Sequence, residues 1–299
     1  MSVDFDKQYR IYREMIEAHL ARMLSPKQMN APDLLVRSVN YSVEAGGKRI
    51  RPVLCLACAR MLGTPEEDVL PVACAIEMIH TYSLIHDDLP GMDNDDLRRG
   101  KPTSHKVFGE GHAILAGDAL LNYAFECLLD LALNQGERMG QYLQAAREIA
   151  HAAGVRGMIA GQSMDLQSEH RQSDEQTLRY IYEHKTADLL TAPLTAAAYI
   201  SGCAQEEVDA FRRIGQELGI AFQIDDDLLD IECTAEVLGK MPGSDEKNGK
   251  MTWPALVGVK QAHAVSMEMW DHVQTQLQTY GEKAGFLLGL VTRLRNRNF

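Results

Sequence analysis

Long apolar runs, flexible linkers and a signal sequence are all missing from this sequence of 299 residues. It has no run of 18 apolar residues, whereas a membrane-spanning helix needs about 20. Its first ten residues carry Asp4 and Asp6 and lack the basic-then-apolar order of a signal peptide. With 45% hydrophobic residues and no break in composition, the chain is predicted to form one cytoplasmic domain over residues 1–299, without a membrane span.

Excess positive charge, paired metal-binding cysteines and strand patterns are missing too. A formal net charge of −12 without a basic stripe argues against a nucleic-acid partner. The six cysteines lie in apolar segments, and Cys55-x2-Cys58 has no second Cys or His pair, so free thiols are expected rather than a zinc site. Apolar residues recur at helical spacing in nearly every segment, which predicts an all-α fold of long helices.

Acidic residues are concentrated in two places. At the first, Asp87 and Asp88 end a long apolar helical pattern, and Asp93 follows closely. Adjacent carboxylates 4 Å apart repel each other by roughly 4 kcal/mol at an effective dielectric of 20, and the helix dipole disfavours anions at a C-terminus. A solvated helix end is the alternative interpretation. We expect this cluster instead to bind cations.

The second acidic cluster lies inside another apolar helical run. Asp226 and Asp230 are four residues apart and share one helix face, while Asp227 lies about 100° round the helix. Carboxylates without Cys or His at ligand spacing suit magnesium, which keeps several waters and bridges carboxylates to substrate phosphates. The two clusters together indicate a phosphate-bearing substrate and more than one Mg²⁺ ion.

A short basic turn, Gly46-Gly47-Lys48-Arg49-Ile50-Arg51-Pro52, separates two helical patterns. Its two glycines let the backbone approach a ligand, and Lys48 and Arg51 offer a point charge and a planar fork to phosphate oxygens. A solvated basic loop is the alternative interpretation of the turn taken alone. Beside two clusters of the magnesium type, the turn is predicted to be a second diphosphate site.

The motifs in this order resemble those of one known family. Asp-Asp-x4-Asp at 87–93, followed by Asp-Leu-Arg-Arg-Gly-Lys-Pro-Thr, and Asp-Asp-x2-Asp at 226–230 resemble the trans-isoprenyl diphosphate synthases, and most of all the bacterial farnesyl diphosphate synthases. The resemblance runs from Gly46 to about Pro254. It implies a homodimer, each chain a single-domain bundle of long, mostly antiparallel helices around a deep cavity. It also implies a Mg²⁺-dependent condensation of isopentenyl diphosphate with dimethylallyl diphosphate and then geranyl diphosphate.

The resemblance also implies roles for the candidate site residues. The metal ligands are Asp87, Asp93, Asp226 and Asp230. Isopentenyl diphosphate is held by Lys48, Arg51, His80 and Arg99. The side chains with catalytic roles at the allylic diphosphate, besides the metal ligands, are Asp88, Arg98, Lys185, Thr186 and Gln223; of these, Thr186 and Gln223 direct oxygen dipoles at the allylic cation.

Product length is predicted to depend on a tyrosine. Tyr82 lies five residues before Asp87, a little more than one turn deeper along the same helix. A tail growing from a diphosphate at Asp87 would run towards it, although an ordinary buried tyrosine is the alternative. The resemblance implies that Tyr82, with Ser83 beside it, limits the product, because farnesyl synthases of this type have an aromatic residue here.

The polar segment 234–250 contains glycines and is expected to cover the site, with Lys240 and Lys250 as phosphate ligands. Two departures from the family pattern lie near it. Asp225 stands where relatives often carry Arg or Gln, and adds negative charge beside the second acidic cluster. Trp253 replaces the tyrosine of Lys-x-Thr-Tyr-Pro, an exchange of one aromatic ring for another.

Other functions remain open from the sequence. A geranylgeranyl or geranyl diphosphate synthase would use the same chemistry and differ in product length. His86-Asp87 would suit a helical His-Asp metal phosphohydrolase, but that enzyme would need further His ligands and would leave residues 226–230 unused. A terpene cyclase would not need the basic turn, and a regulatory subunit would not need both acidic motifs.

Overall fold

The chain is built almost entirely of helices. The computed structural model describes residues 5–169, 174–232 and 250–296. The helices before the second acidic cluster are α1 (Phe5–Met23), α2 (Pro26–Met29), α3 (Asp33–Val43), α4 (Ile50–Met61), α5 (Glu66–Asp87), α6 (Ser104–Phe108), α7 (Glu110–Leu133), α8 (Met139–Ala153), α9 (Met158–Ser168), α10 (Glu175–Ile181) and α11 (Asp188–Ile200). The helix that carries this cluster and those that follow are α12 (Gln205–Glu232), α13 (Trp253–Val257), α14 (Val259–Gln278) and α15 (Gly285–Arg295).

The irregular elements are few and short. A π-helical turn, Tyr182–Ala187, joins α10 to α11, and 3₁₀ turns occupy Gly136–Arg138 and Gly281–Ala284. The only strands in the described ranges, β1 (Leu97–Arg98) and β2 (Lys101–Pro102), form a two-residue antiparallel ribbon. The predicted all-α fold is confirmed.

Helix α5 lies at the centre of the bundle. It packs against α4, α7 and α11, and side chains all round it are buried, as expected for a helix that is apolar on every side. By length and composition it could also cross a membrane, although it contains no unbroken apolar run of that length. However, 72% of its most apolar window is buried inside the fold, as in the core helix of a globular protein.

One predicted helix is broken in two. The periodicity over residues 140–167 predicts a continuous helix, but α8 ends at Ala153 and α9 begins at Met158. Gly154 and Gly157 lie in the break, and a Cβ atom on Gly157 would lie 2.3 Å from the carbonyl oxygen of Ala152. Glycine weakens a helix interior and tolerates such close backbone packing, so the chain turns here.

Helical spacing of apolar residues predicts another continuous helix from Ser173, its expected cap, to about Ile200, with a kink at Pro193. This helix is also interrupted. It consists of α10, the π-turn and α11, and the predicted kink residue Pro193 lies within α11. Asp174 caps α10 by accepting a hydrogen bond of 2.8 Å from the amide of Thr177, while the predicted cap Ser173 lies outside the described residues.

Two neighbouring helices press on the π-turn through glycines. A Cβ atom on Gly161 of α9 would lie 2.1 Å from the backbone nitrogen of Lys185, and one on Gly219 of α12 would lie 2.4 Å from the Cα of Ala187. Both helices therefore approach the turn at backbone distance, which larger residues would prevent. The turn carries Lys185 and Thr186 at this point of closest packing.

Candidate active site

A cavity of about 940 Å³ lies between α5, α9, α12, the π-turn and the basic turn before α4. Such a volume suits a small-molecule site. The polar side chains on its wall include those of Lys48, Arg51, His80, Asp87, Arg99, Lys185, Thr186, Gln223 and Asp226. The large apolar side chains on its wall include those of Tyr82, Met92, Met158, Ile159, Leu166 and Phe222.

The two acidic clusters meet at this cavity. Asp87 reaches it from the end of α5 and Asp226 from α12, although 139 positions separate them in the sequence. Burial raises the pKa of Asp87 to about 6, with a contribution from the charge of Asp93, against the opposing effect of Lys185 and other cations. A carboxyl group whose charged form is disfavoured gains strongly from a bound cation.

The other acidic residues of the clusters do not form part of this cavity wall. Asp88 is buried and accepts a hydrogen bond of 2.7 Å from Nε of Arg98, whose Nη2 also forms an ion pair with it at 2.7 Å. Asp93 accepts one of 3.1 Å from Nζ of Lys250, and Asp230 is buried on α12. Asp88 therefore fixes the guanidinium of Arg98, and Asp93 holds an ammonium group beside the site.

Positive charge is concentrated around the basic turn. Burial lowers the pKa of Arg51 to about 10, against the opposing charges of Glu77 and Asp226. Its buried Nε has no hydrogen-bond partner among the described residues. Burial, and then the charge of Arg51, lowers the pKa of His80 well below its usual value, so this imidazole is neutral at pH 7. Together with Lys48 on the same wall, the charge of Arg51 favours the binding of an anion here.

The π-turn contributes a cation and a hydroxyl group to the wall. Lys185 donates a hydrogen bond from Nζ to Oδ2 of Asp165 on α9, and Thr186 donates one of 2.8 Å to Oε1 of Gln223. Asp165 is buried, and the neighbouring Gln162 lines the cavity with a buried Oε1 that has no partner among the described residues. π-helical turns are frequent at functional sites.

The two residues predicted to limit product length both line the cavity. Tyr82 is only 6% exposed, and its ring meets that of His86 edge-on at 5.7 Å. The Nε2 of His86 lies 3.1 Å from the carbonyl oxygen of Ile114 on α7. Ser83 donates a hydrogen bond of 2.9 Å to the carbonyl oxygen of His80.

Sequence and fold were compared with known proteins. The model of the polyprenyl synthetase family matches residues 32–285. The chain belongs to this family. It is 48% identical to a farnesyl diphosphate synthase of Geobacillus stearothermophilus, over 86% of both chains. It is 43% identical to a geranylgeranyl diphosphate synthase of Cyanophora paradoxa, over 89% of both. A solved geranyltransferase structure from Legionella pneumophila has a TM-score of 0.86 at 32% identity, covering 98% of this chain and 97% of that one.

These matches confirm the predicted family, the fold of the isoprenoid synthases and the prediction of an enzyme. The chain is a prenyltransferase of the trans-prenyl diphosphate synthase type. Relatives named for farnesyl and for geranylgeranyl products are similarly close, so family membership leaves product length open.

The structure bears on the expectations for Asp225 and Lys250 of this prenyltransferase. Asp225 does not add its charge to the cavity wall, because its carboxylate accepts hydrogen bonds from Ser266 Oγ and, at 2.7 Å, from Trp270 Nε1 on α14. Lys240 lies outside the described residues. Lys250 lines a smaller cavity of about 90 Å³ that also contacts Lys185.

The acidic residues of this prenyltransferase are of the type that magnesium binds. Within residues 5–169, 174–232 and 250–296, no three acidic, His or Cys side chains lie close enough to hold a metal between them. Magnesium binds through one or two carboxylates, several waters and substrate phosphates, so it does not need such a group. A half-buried Asp87 with a raised pKa is suited to this mode of binding.

Asp165 and Gln162 are the residues of this site that the sequence left unassigned. They lie three residues apart on α9, and a polar pair on one face of a helix is a weak signal because most such pairs are solvated. Their burial depends on Gly161, which brings α9 against the π-turn.

Proposed function

We propose that this prenyltransferase is a magnesium-dependent farnesyl diphosphate synthase, acting on isopentenyl diphosphate with dimethylallyl and then geranyl diphosphate. The observation that best supports the proposal is that Asp87 and Asp226 line one cavity, together with a basic turn and an apolar wall. Such a wall is complementary to two substrates that carry charged diphosphates and an apolar tail.

The basic and acidic side chains divide the binding of the two substrates. Lys48, Arg51, His80 and Arg99 hold the diphosphate of isopentenyl diphosphate. Arg98, Lys185, Lys240 and Lys250 hold the allylic diphosphate, whose charge grows as its carbon–oxygen bond breaks. The metal would be held by Asp87, Asp93, Asp226 and Asp230, and when bound it supplies Lewis-acid stabilisation of this leaving group.

The remaining residues act on the allylic cation. Thr186 and Gln223 present oxygen atoms to it, and the apolar wall excludes the water that would otherwise capture it. The double bond of isopentenyl diphosphate attacks, forming the new carbon–carbon bond. The departing pyrophosphate then accepts the proton released from the adjacent carbon, and this restores the double bond.

One reaction tests the proposal. The pure chain is incubated with isopentenyl and dimethylallyl diphosphates with magnesium or with a chelator, and the product alcohols are separated by chromatography. Farnesol that forms only with magnesium is expected. Geranylgeraniol as the main product would favour the rival assignment, and phosphate release without carbon–carbon bond formation would favour a phosphohydrolase.

Replacing Tyr82 with alanine is expected to lengthen the product to twenty carbons or more. The ring is buried in the cavity wall one turn below Asp87, where it blocks the path of a growing tail. Chromatography of the products measures the effect. Tyr142→Ala, the same deletion in a buried position outside the cavity, should leave product length unchanged. If Tyr82→Ala still gives farnesol, then Tyr82 does not limit the product.

Gly47→Ala is expected to raise the KM for isopentenyl diphosphate by about tenfold or more. A Cβ atom at Gly47 would lie 2.8 Å from the guanidinium of Arg99, which must move away and lose a charge-assisted contact of roughly 1.5–3 kcal/mol. Steady-state kinetics with each substrate varied separately measure the change. Gly46→Ala is the control, since Gly46 also has positive φ but no atom near its Cβ. Equal effects of both substitutions would indicate backbone strain instead.

The proposed assembly is a cytoplasmic homodimer. Leu115, Leu129 and Leu133 on α7 are 54%, 50% and 68% exposed, and an apolar helix face of this kind suits contact with a second copy of the chain. Light scattering of the pure protein tests the assembly, and a monomer at micromolar concentration would exclude it.

A further inference from the structure

We propose that Asp227 is a positioning residue that determines which side of the Thr186 hydroxyl group faces the cavity. The inference rests on the proposed role of Thr186 beside the allylic cation. It gives a function to the middle acid of the second cluster, which is not part of the main cavity wall.

Asp227 is 4% exposed and connects three parts of the chain. Its Oδ2 accepts hydrogen bonds from the hydroxyl group of Tyr182 in the π-turn and, at 3.0 Å, from the amide of Trp253 at the start of α13. Its Oδ1 accepts one of 3.1 Å from Nε2 of Gln223, one helical turn earlier on α12. The carboxylate thus faces the π-turn and the residues after the second cluster.

The direction of these hydrogen bonds follows from chemistry. An ionised carboxylate can only accept, so the amide end of Gln223 that faces Asp227 must be the NH₂ group. The Oε1 of Gln223 is then left to face Thr186, from which it accepts a hydrogen bond of 2.8 Å. Thr186 has one hydroxyl hydrogen, and this hydrogen points at Gln223. The side of the Thr186 oxygen left for the cavity therefore carries lone pairs only.

This polarity suits the reaction. Lone pairs of a fixed hydroxyl group stabilise a positive charge that develops nearby, whereas a hydroxyl hydrogen in the same place would oppose it. Dipoles that are oriented before the reaction need no reorganisation when the allylic cation forms. Asp227 acts on the cation through Gln223 and Thr186 and does not touch the substrate.

Asp227→Asn is expected to reverse the chain of hydrogen bonds without changing its shape. The Trp253 amide and the Tyr182 hydroxyl keep the carboxamide oxygen on their side, so the NH₂ group of the new Asn faces Gln223. Gln223 must then turn over and donate to Thr186, whose hydrogen is released towards the cavity. We expect kcat to fall about 10²-fold. The KM for isopentenyl diphosphate and the magnesium concentration for half-maximal rate should stay within about twofold.

A double-mutant cycle separates positioning from a general structural role. Thr186→Val removes the hydroxyl group, and on that background Asp227→Asn should lower kcat by no more than about twofold. If Asp227→Asn lowers kcat by the same factor in the Thr186→Val background as in the wild type, the inference is overturned. A magnesium requirement raised about tenfold in Asp227→Asn would also overturn it, because it would make Asp227 a metal ligand.

Two further variants guard against misinterpretation. Tyr182→Phe removes one bond to Asp227 but keeps the Gln223 contact, so kcat should stay within about threefold; a loss as large as that of Asp227→Asn would mean that Asp227 only anchors the π-turn. Asp225→Asn removes an adjacent charge that faces α14, and should leave kcat unchanged; a matching loss there would attribute the effect to charge alone.

Product length is scored in the same reactions. A main product other than farnesyl diphosphate would overturn the farnesyl assignment and leave the role of Asp227 standing, because every allylic diphosphate ionises to an allylic cation at the carbon that carried the diphosphate. If instead farnesyl diphosphate is the product and the two substitutions lower kcat by factors that multiply, the farnesyl assignment stands and the role of Asp227 is overturned.

Discussion

Replacing Asp87 with asparagine should lower turnover by roughly 10³-fold and, in the absence of metal, make the protein more stable. The loss of turnover follows because a metal clamp on a leaving group contributes several kcal/mol to the reaction. The gain in stability follows because the pKa of Asp87 is raised to about 6, mainly by burial, so its charged form is held at a cost. Rates and thermal unfolding in a chelator measure the two effects.

The pH dependence gives the sign of the stability effect. In the folded protein Asp87 keeps its proton up to about pH 6, because its pKa is raised to about 6 from the ordinary 3.8. Between these values the folded state binds more protons than the unfolded chain, so stability falls as pH rises and the full cost remains above pH 6. We expect the asparagine variant to be more stable by roughly 1–3 kcal/mol at pH 7, and the difference to shrink towards pH 5.

A neighbouring acid supplies the control. Asp96 belongs to the same acidic stretch but is exposed and paired with Lys106, so Asp96→Asn should change neither turnover nor unfolding appreciably. Wild-type turnover in Asp87→Asn would refute the metal assignment. An unchanged unfolding temperature in chelator would refute the burial cost of the carboxylate, whatever the kinetics show.

The sequence predicts the long helices well, and it identifies the two acids, Asp87 and Asp226, that meet at the main cavity. Periodicity predicts helices over residues 66–88 and 205–231, and α5 and α12 agree with these bounds to within one residue. Apolar residues at helical spacing are a strong signal over more than twenty residues. Asp87 and Asp226 stand out for the same reason, since a carboxylate inside such a pattern is costly unless it is paired or binds a metal.

The features that the sequence misses depend on contacts between distant segments. Asp225 has the same local sequence surroundings as Asp226. Its partners Ser266 and Trp270 follow 41 and 45 residues later, so no local pattern predicts the contacts. The π-turn is equally invisible, because periodicity around Lys185 reads as one continuous helix. Its wider winding coincides with the two glycines that press on it, and glycine in a helix is more often read as a weak point.

The glycine contacts of the π-turn lead to the second large effect, because two physical arguments give opposite signs. Alanine is favoured over glycine inside a helix by up to about 1 kcal/mol, so helix propensity alone predicts that Gly161→Ala stabilises the protein. Steric overlap predicts destabilisation, since the new Cβ would lie 2.1 Å from the backbone nitrogen and 2.7 Å from the Cα of Lys185. A backbone cannot rotate away as a side chain can.

We therefore expect Gly161→Ala to destabilise the protein by roughly 1–3 kcal/mol, as overpacking does, and to lower kcat about 10²-fold, since a shift of about 1 Å in a positioned group has that effect. Chemical denaturation and steady-state kinetics measure the two quantities. Gly140→Ala is the matched control, because Gly140 lies in α8 and a Cβ atom there would have no neighbouring atom within 4 Å, so that propensity alone should act. Stabilisation at both positions would show that α9 can move away from the π-turn freely. Loss of kcat with unchanged stability at Gly161 would show that the turn yields while the helix stays, which places the sensitivity of catalysis in the position of Lys185 and Thr186 themselves.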